Sequence, residues 1–436
     1  MKKVLIMILL IVAVMTATSV YGEYRQFEYN RIRYMVHNEN GDTVSICGWN
    51  PIENGVRVNL PNPLILDSIC FDPEGRKYVV TSIVGRIGGG GGLTRIDNVT
   101  TMILPKTIRR IGYGIIYTGY PYTWFGRISR NDSLKKIEMP GVEVIDKYGM
   151  RDNPTLATPL DLRNLVSLGE EALGWCSLLP EVRFGESLRF IGRNAFQRCN
   201  GLKTVDIADP DKWSRVRFED ASANPIAMTH VFNVYGKEVG HLDIDMGQAS
   251  VSQWAFAGAA NLRSVRIRNA KRVDSRAFDS CDNLADLCLD VEMLCDEAFS
   301  NNRSLRRVYV LSNRPPRAYR NVFSNYDNIT LYVPQGSLSA YRNTEYCWSL
   351  FQDIRESDFS EVDDLFRADY EKGPSSLNGI ERDNGDGDDG DIDFNRPVEV
   401  YNMQGHLLSR TTEGLRPGLY ILRQGRKSRK VIIGRP

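Results

Sequence analysis

The run Gly88 to Gly92 is the first stretch whose residue type could do chemistry, because consecutive unhindered amides can cradle a phosphate. A nucleotide loop would continue with Lys and then Ser or Thr. Here Leu93-Thr94-Arg95 follows, so the run reads as a loop. Between Asp383 and Asp391, carboxylates alternate with Asn and Gly at the spacing of a calcium loop. The Glu that an EF-hand frame counted from Asp383 needs is missing, and the acidic, apolar-poor composition predicts a solvated linker. His37, His230, His241 and His406 are scattered and no C-x-x-C occurs, which leaves zinc without a ligand set. No G-x-S-x-G elbow is present, no His stands in a nucleophile constellation, and the carboxylates form no acid/base pair along the chain. No catalytic, cofactor-binding or metal residue is therefore assigned, and the chain is read as not an enzyme.

The elements behind these residues are repeats. Ile191-Gly192, Ala195-Phe196, Cys199, Leu202, Val205 and Ile207 recur as Val273, Ala277-Phe278, Cys281, Leu284, Leu287 and Leu289. They recur again as Leu294, Ala298-Phe299, Asn302, Leu305, Val308 and Val310. Trp254 precedes a further copy at Ala255-Phe256, and Ala172-Leu173 with Cys176 begins another. A weaker copy has Ile145, Gly149-Met150, Asn153, Leu156, Leu160 and Leu162. The Ala-to-Ala steps are 23, 22 and 21 residues, the range of leucine-rich repeats. The alternating tail L-x-x-V-x-I predicts a short strand with one face buried. Ala-Phe belongs on the opposite side of the coil, the small residue permitting close approach and the ring filling the interior. The next slot must be small, and an Asn there can bond exposed backbone. One coil cannot bury its apolar face alone, so stacking supplies the core. Cys176, Cys199 and Cys281 then read as core residues. Cys47 with Cys70 is the only pair entertained as a disulfide.

Within this frame one interval is irregular. If Ile115-Ile116 is the Ala-Phe equivalent, Leu134 arrives twelve residues late. The surplus carries Tyr117, Tyr120, Tyr122, Trp124 and Phe125, with Arg127 and Arg130 beside them. Insertions in solenoids emerge as loops on one face, and Tyr, Trp and Arg dominate interface hot spots. Tyr117, Tyr120, Tyr122, Trp124, Phe125 and Arg127 are the candidate partner-binding residues. The competing reading is that these rings cap the apolar end of the solenoid.

The pattern A-F-x-x-C-x-x-L-x-x-V-x-I resembles the BspA-like leucine-rich repeats of bacterial surface proteins. Leu104-Pro105-Lys106-Thr107-Ile108 before Ile111-Gly112 is similar to that family's strand-to-turn join. Val231 to Val239, with Tyr235-Gly236-Lys237, is similar to its hairpin insertion, and Leu331-Tyr332-Val333-Pro334 with Tyr341 to its terminal cap. The resemblance runs from about Phe27 to Ile354. It implies a leucine-rich-repeat solenoid, surface display and adhesion, and it carries over no catalytic residue. The N-terminal third departs from it, with no Ala-Phe before Ala172.

The ends speak to location. Lys2-Lys3, an apolar run from Val4 to Val14 and Val20-Tyr21-Gly22 read as a signal peptide cut after Gly22. Crossing a bilayer takes about 20 apolar residues, more than this run holds. Net charge is +1, from 55 basic and 54 acidic residues, so charge balance makes no case for nucleic acid. From Pro397 the pattern alternates again through Val400-Tyr401, Gln404-Gly405, Leu407-Leu408, Pro417-Gly418 and Tyr420 to Val431-Ile432-Ile433. It predicts a small β-sandwich that resembles the sorting domain of type IX secretion in Bacteroidetes.

The expected organisation is a signal peptide at 1–22, a cap and degenerate repeats at 23–100, and the solenoid at 101–356 with insertions at about 117–130 and 208–240. An acidic linker at 357–395 and the sorting-like domain at 396–436 complete it. The expected function is a secreted or surface-displayed monomer that binds an extracellular protein or glycan, without cofactor and without a transmembrane helix. A structural role in the cell envelope, or an accessory role in carbohydrate or peptide processing, are the alternatives.

Overall fold

Stacking the coils turns the repeat spacing into ladders of hydrogen bonds between neighbouring coils. A computed structural model describes residues 25–36, 41–50, 52–53, 56–57, 59–84, 93, 96, 98–112, 128, 131–370, 399–401, 407–409, 418–424 and 427–433. Each coil contributes one longer strand from its V-x-I tail and one two-residue strand from its Ile-Gly join. The longer strands stack in parallel: Leu160–Leu162, Glu181–Phe184, Thr204–Ile207 and Phe232–Val234 form one section. Lys237–Glu238 then turns back antiparallel on Phe232–Val234, with Tyr235 and Gly236 in the left-handed region at the turn. That hairpin divides the broad sheet. Beyond it, His241–Asp245, Ser264–Ala270, Asp286–Val291, Arg307–Val310, Thr330–Pro334 and Asp353–Ser357 form a second parallel section. The two-residue strands make a narrow ladder on a second side of the coil.

The third side is made of turns, and it carries the repeat's chemistry. Ala172, Ala195, Ala255, Ala277 and Ala298 are fully buried where coils approach. Phe256, Phe278, Phe299 and Phe323 stack as a column, with centroids 5.1, 5.3 and 5.7 Å apart and planes within 16°. The following slot tolerates Cys or Asn because both donate to the coil before. The Cys199 thiol reaches Leu173 O at 3.1 Å and Cys281 reaches Phe256 O at 3.3 Å. Asn153 gives Nδ2 to Ile128 O at 2.6 Å and Met150 O at 2.7 Å. Two buried polar side-chain types therefore answer the same orphaned carbonyl. Burial pushes the Cys199 thiol up to about 12.

These bonds also correct two readings of the sequence. Asn131 gives Nδ2 to Leu93 O, and Ile128 N donates to Gly149 O at 2.9 Å. Leu93 and Ile128 therefore stand in the slot held by Phe196. The spacing Phe196, Cys199, Leu202, Val205, Ile207 is reproduced by Leu93, Ile96, Val99, Met102, Leu104 and by Ile128, Asn131, Leu134, Ile137, Met139, all buried. Regular coils thus begin at Leu93, inside the stretch expected to be degenerate. Ile115-Ile116 is not the Ala-Phe equivalent: seventeen positions separate Ile111 from Ile128 where five separate Ile191 from Phe196. The twelve-residue surplus stands, but it enters between Gly112 and Ile128.

Upstream, an antiparallel cap of Gln26–Tyr29, Ile32–Val36 and Thr43–Trp49 leads into the narrow ladder through Lys77–Ile83. Asp72 ties it together, accepting from the Arg76 amide at 2.7 Å, the Tyr78 hydroxyl at 3.2 Å and Arg25 at 2.9 Å. No disulfide joins Cys47 to Cys70, which lie in separate clusters, Cys47 with Met35 and Val84 and Cys70 in the main core, so the entertained bridge is not made. Downstream, Leu338–Arg342 and Cys347–Leu350 close the solenoid, with Trp348 Nε1 donating to Pro316 O at 2.7 Å.

The segment expected to begin the acidic linker does not behave as one. Residues 358–370 fold back across the outward face of the second sheet section, with a single helical turn at Val362–Leu365. Val362, Phe366 and Tyr370 are buried, because an apolar stripe lies hidden among the acids. In the C-terminal stretch the described residues form one four-stranded antiparallel sheet, Leu407–Ser409, Glu399–Tyr401, Gly418–Gln424 and Lys427–Ile433 in spatial order, where a sandwich was expected.

Candidate interaction surface

Two backbone positions per coil on the turn side sit at positive φ, and their side chains point away from the core. The first runs Tyr148, Glu171, Asn194 and the second Asp152, Trp175, Arg198, each at a step of 23 residues. Non-glycine residues tolerate the left-handed region at modest cost, and Asn and Asp do so best. Trp175 and Tyr148 occupy it here although neither is favoured there.

Their reward is a stacked cation–π column. The Arg151 guanidinium lies 4.0 Å from the Trp175 ring centroid and 5.1 Å from that of Tyr148. Arg198 approaches Trp175 at 5.8 Å, and Lys147 approaches Tyr148 at 4.9 Å. Arg151 is also ion-paired with Glu171 at 2.8 Å, both side chains being 13% exposed. Lys147 and Arg193 converge on Glu170 at 2.6 and 3.1 Å. Burial would raise the Glu170 carboxyl, but its bonds to these two cations hold it below the usual range. Each cation–π contact is worth roughly 0.5–1 kcal/mol at an exposed site. The column is therefore a pre-ordered patch of Trp, Tyr and Arg, the composition of interface anchors.

The aromatic insertion joins the molecule beside this patch. It leaves the narrow ladder at Ile111–Gly112 and returns at Ile128, whose amide bonds Gly149, the residue after Tyr148. Tyr117, Tyr120, Tyr122, Trp124, Phe125 and Arg127 themselves lie outside the described residues, as does the glycine run. The sequence reading missed Tyr148, Arg151, Trp175 and Arg198. The 23-residue steps through Tyr148, Glu171 and Asn194 and through Asp152, Trp175 and Arg198 are the signal that could have marked these turns.

A second surface is the outward face of the broad sheet. Upstream of the hairpin it presents Asp161, Arg183 and Asp206 in register across three strands. Beside them is an open groove of about 690 Å³ flanked by Pro140, Arg163, Glu186 and Tyr235. Burial works against ionised Asp161, but the Arg163 side chain outweighs it and lowers the carboxyl. Asp206 goes the other way: burial raises it although it accepts the Gly236 amide at 2.8 Å. Charge alternates along this row, which suits a mixed polar partner and offers no anion site. Among the described residues no group of His, Cys, Asp and Glu could hold a metal, and no helix is long and apolar enough to cross a membrane.

Parallel coils of 21 to 23 residues, a strand on one side, a buried Ala-Phe turn on another and a Cys/Asn slot between them define a leucine-rich-repeat solenoid. Residues 128–222 and 231–348 match, in six copies, the BspA type leucine rich repeat region, so this part of the chain is built of that family's repeats. A leucine-rich repeat protein from Bacteroides ovatus is similar at 18% identity, over 76% of this chain and 76% of that one, with a TM-score of 0.37. The pneumococcal vaccine antigen PcpA is similar at 12% identity over 77% and 99%, TM-score 0.31. A leucine rich cell surface protein from Faecalibacterium prausnitzii is similar at 13% identity over 78% and 97%, TM-score 0.26. No curated protein sequence matches the chain. The family that matches is not an enzymatic one.

Proposed function

We propose that this protein is a non-enzymatic binding protein, exported and displayed at the cell surface or secreted, that holds an extracellular protein or glycan on the turn side of its solenoid. The observation that carries the reading is the ordered column of Tyr148, Arg151, Trp175 and Arg198 beside the points where the aromatic insertion leaves and returns. A cap for an apolar end would not need arginines stacked on rings several coils into the stack. Leucine-rich repeats serve protein binding generally, because a stack of coils offers a long, rigid surface. In this reading Tyr122, Trp124 and Arg127 of the insertion are further anchors for the same partner.

The test is a binding screen of the chain from Glu23 onward against extracellular-matrix proteins and a glycan array. Trp175→Ala and the pair Tyr122→Ala, Trp124→Ala are then measured against whatever binds. Binding should fall at least about tenfold in each, the loss expected of one interface anchor, with the melting temperature of the insertion variant unchanged. A large loss of stability in that variant would instead assign the insertion to capping. Export is supported by Lys2-Lys3 with the apolar run after them and by Pro417-Gly418-Leu419-Tyr420. Amino-terminal sequencing of secreted protein should begin at Glu23.

A further inference from the structure

The outward row of the broad sheet changes character at the hairpin. Upstream it is charged and open; downstream it reads Asp243, Arg266, Cys288, Tyr309, Tyr332 and Arg355 across six strands in register. Tyr309 and Tyr332 stack face to face, with centroids 4.6 Å apart and planes 10° apart. Residues 358–370 lie on this row. Phe366 meets the Tyr309 ring edge-on at 5.7 Å, and Phe366 and Val362 bury Cys288 with it in a cluster separate from the solenoid core. The polar contacts follow the same line. Tyr309 donates its hydroxyl to Glu361 at 2.7 Å, and Arg266 pairs with Asp363 at 2.7 Å. At the far end Asp369 accepts the Gly240 amide at 2.8 Å, and the Tyr370 hydroxyl donates to Asp243 O at 2.8 Å.

We propose that this row is a peptide-binding surface which the chain's own residues 358–370 occupy in cis, and that in trans it takes an acidic peptide with apolar anchors at the spacing of Phe359, Val362 and Phe366. Three features support a detachable occupant. The strap's one helical turn has four residues and no side-chain cap bond, too little to persist without its seat. Val362 and Phe366 pack with the outward-facing Cys288 and Tyr309 in a cluster of their own, so that only Tyr370, at the strap's far end, joins the main core to which the inward Leu287, Leu289 and Val308 belong. The surface that lifting would uncover is two stacked tyrosines beside an arginine, a recognisable anchor site rather than scaffold. Because the cis strap acts at a high effective concentration, a trans peptide binds only where the strap has been weakened. The idea does not depend on which partner the turn side holds.

Cys288 reports the opening, since it lies under the strap and is fully buried. Cys281, buried inside the same coil, reports unfolding of the solenoid. The full chain is treated with N-ethylmaleimide and modification of each cysteine is followed by mass spectrometry. Glu361→Gln with Phe366→Ala should speed Cys288 modification by about tenfold or more and leave Cys281 unchanged, as local opening requires. Tyr309→Phe, a milder change, should give a smaller increase of the same kind. A synthetic peptide of residues 358–370 should restore protection to the double variant, and a scrambled peptide should not. The labelled peptide should bind the double variant by fluorescence anisotropy and fail to bind the unmodified chain. The proposal is overturned if Cys281 accelerates together with Cys288, or if the peptide neither protects nor binds. Protection of Cys288 in the unmodified chain that appears only with concentration-dependent dimerisation would overturn the cis arrangement in favour of strap exchange between copies.

Discussion

Cys281 and Asn302 hold the same slot in successive coils, and the backbone amide of Cys281 donates to Asn302 Oδ1 at 2.8 Å. Asn302 also gives Nδ2 to Phe278 O and Phe299 O, each at 3.1 Å. One side chain thus closes three backbone bonds, whereas Cys199 closes one weaker one. Asn302→Ala should cost about 2 kcal/mol and Cys199→Ala about 1 kcal/mol, in proportion to the buried groups left unpaired. Urea denaturation of the two variants checks the order; equal losses would mean that the slot matters only for its size.

The phenylalanine column sets a larger scale. Phe278 is fully buried between Phe256 and Phe299 with near-parallel rings. Phe278→Ala should lose about 3–5 kcal/mol, the range for emptying an aromatic site in a packed core. Phe323, next to the cap, also meets Phe351 edge-on. Melting curves of the Phe278 variant should therefore show the coils on both sides of it loosened.

Gly185 is required by crowding, not by an unusual φ. A Cβ there would lie 2.0 Å from Arg163 O in the preceding coil. Gly185→Ala should cost roughly 1–3 kcal/mol through a forced shift of the coil spacing. A midpoint in urea indistinguishable from that of the unsubstituted chain would show that the coils can part there freely.

Acid should weaken the amino-terminal cap. Burial alone would raise the Asp72 carboxyl, but the Arg76 amide, the Tyr78 hydroxyl and Arg25 together lower it. A carboxyl depressed in the folded state adds stability that is present above the unfolded value of about 3.9 and is lost as pH falls through the folded value. Asp72→Asn should therefore weaken the cap at neutral pH and flatten its acid dependence below about pH 4. Hydrogen exchange in Gln26–Tyr29 and Lys77–Ile83, compared at the two pH values, gives the answer.

Much of this fold was legible because the chain repeats itself. Ala-Phe, the Cys/Asn slot and V-x-I each recur often enough to set the frame, and they fall where the frame requires. The coils at Leu93 and Ile128 escaped because Gly92 and Arg127 stand where Ala was sought, although the later spacing was intact. The exposed features escaped for a different reason. Trp175 and Arg151 lie on positive-φ turns, whose side chains face outward and leave no hydrophobic period. The strap was hidden because Phe359, Val362, Phe366 and Tyr370 are diluted by acids, and because their partners Cys288 and Tyr309 sit on the face that the repeat leaves unspecified.

That strap also counts. It starts directly after the last strand, Asp353–Ser357, and ends on Asp243 and Gly240 beside the hairpin. Five strand spacings of about 4.8 Å lie between, so it spans about 24 Å. Elsewhere a solenoid can gain or lose a coil by duplication or deletion, since each coil meets only its neighbours. Between the hairpin and the cap such a change would also disturb the strap: with one coil more, the strap as folded would end about 4.8 Å short of the Gly240 amide, and with one fewer it would be slack. The number of coils in this part of the solenoid is thereby matched by the length of a segment outside the repeats.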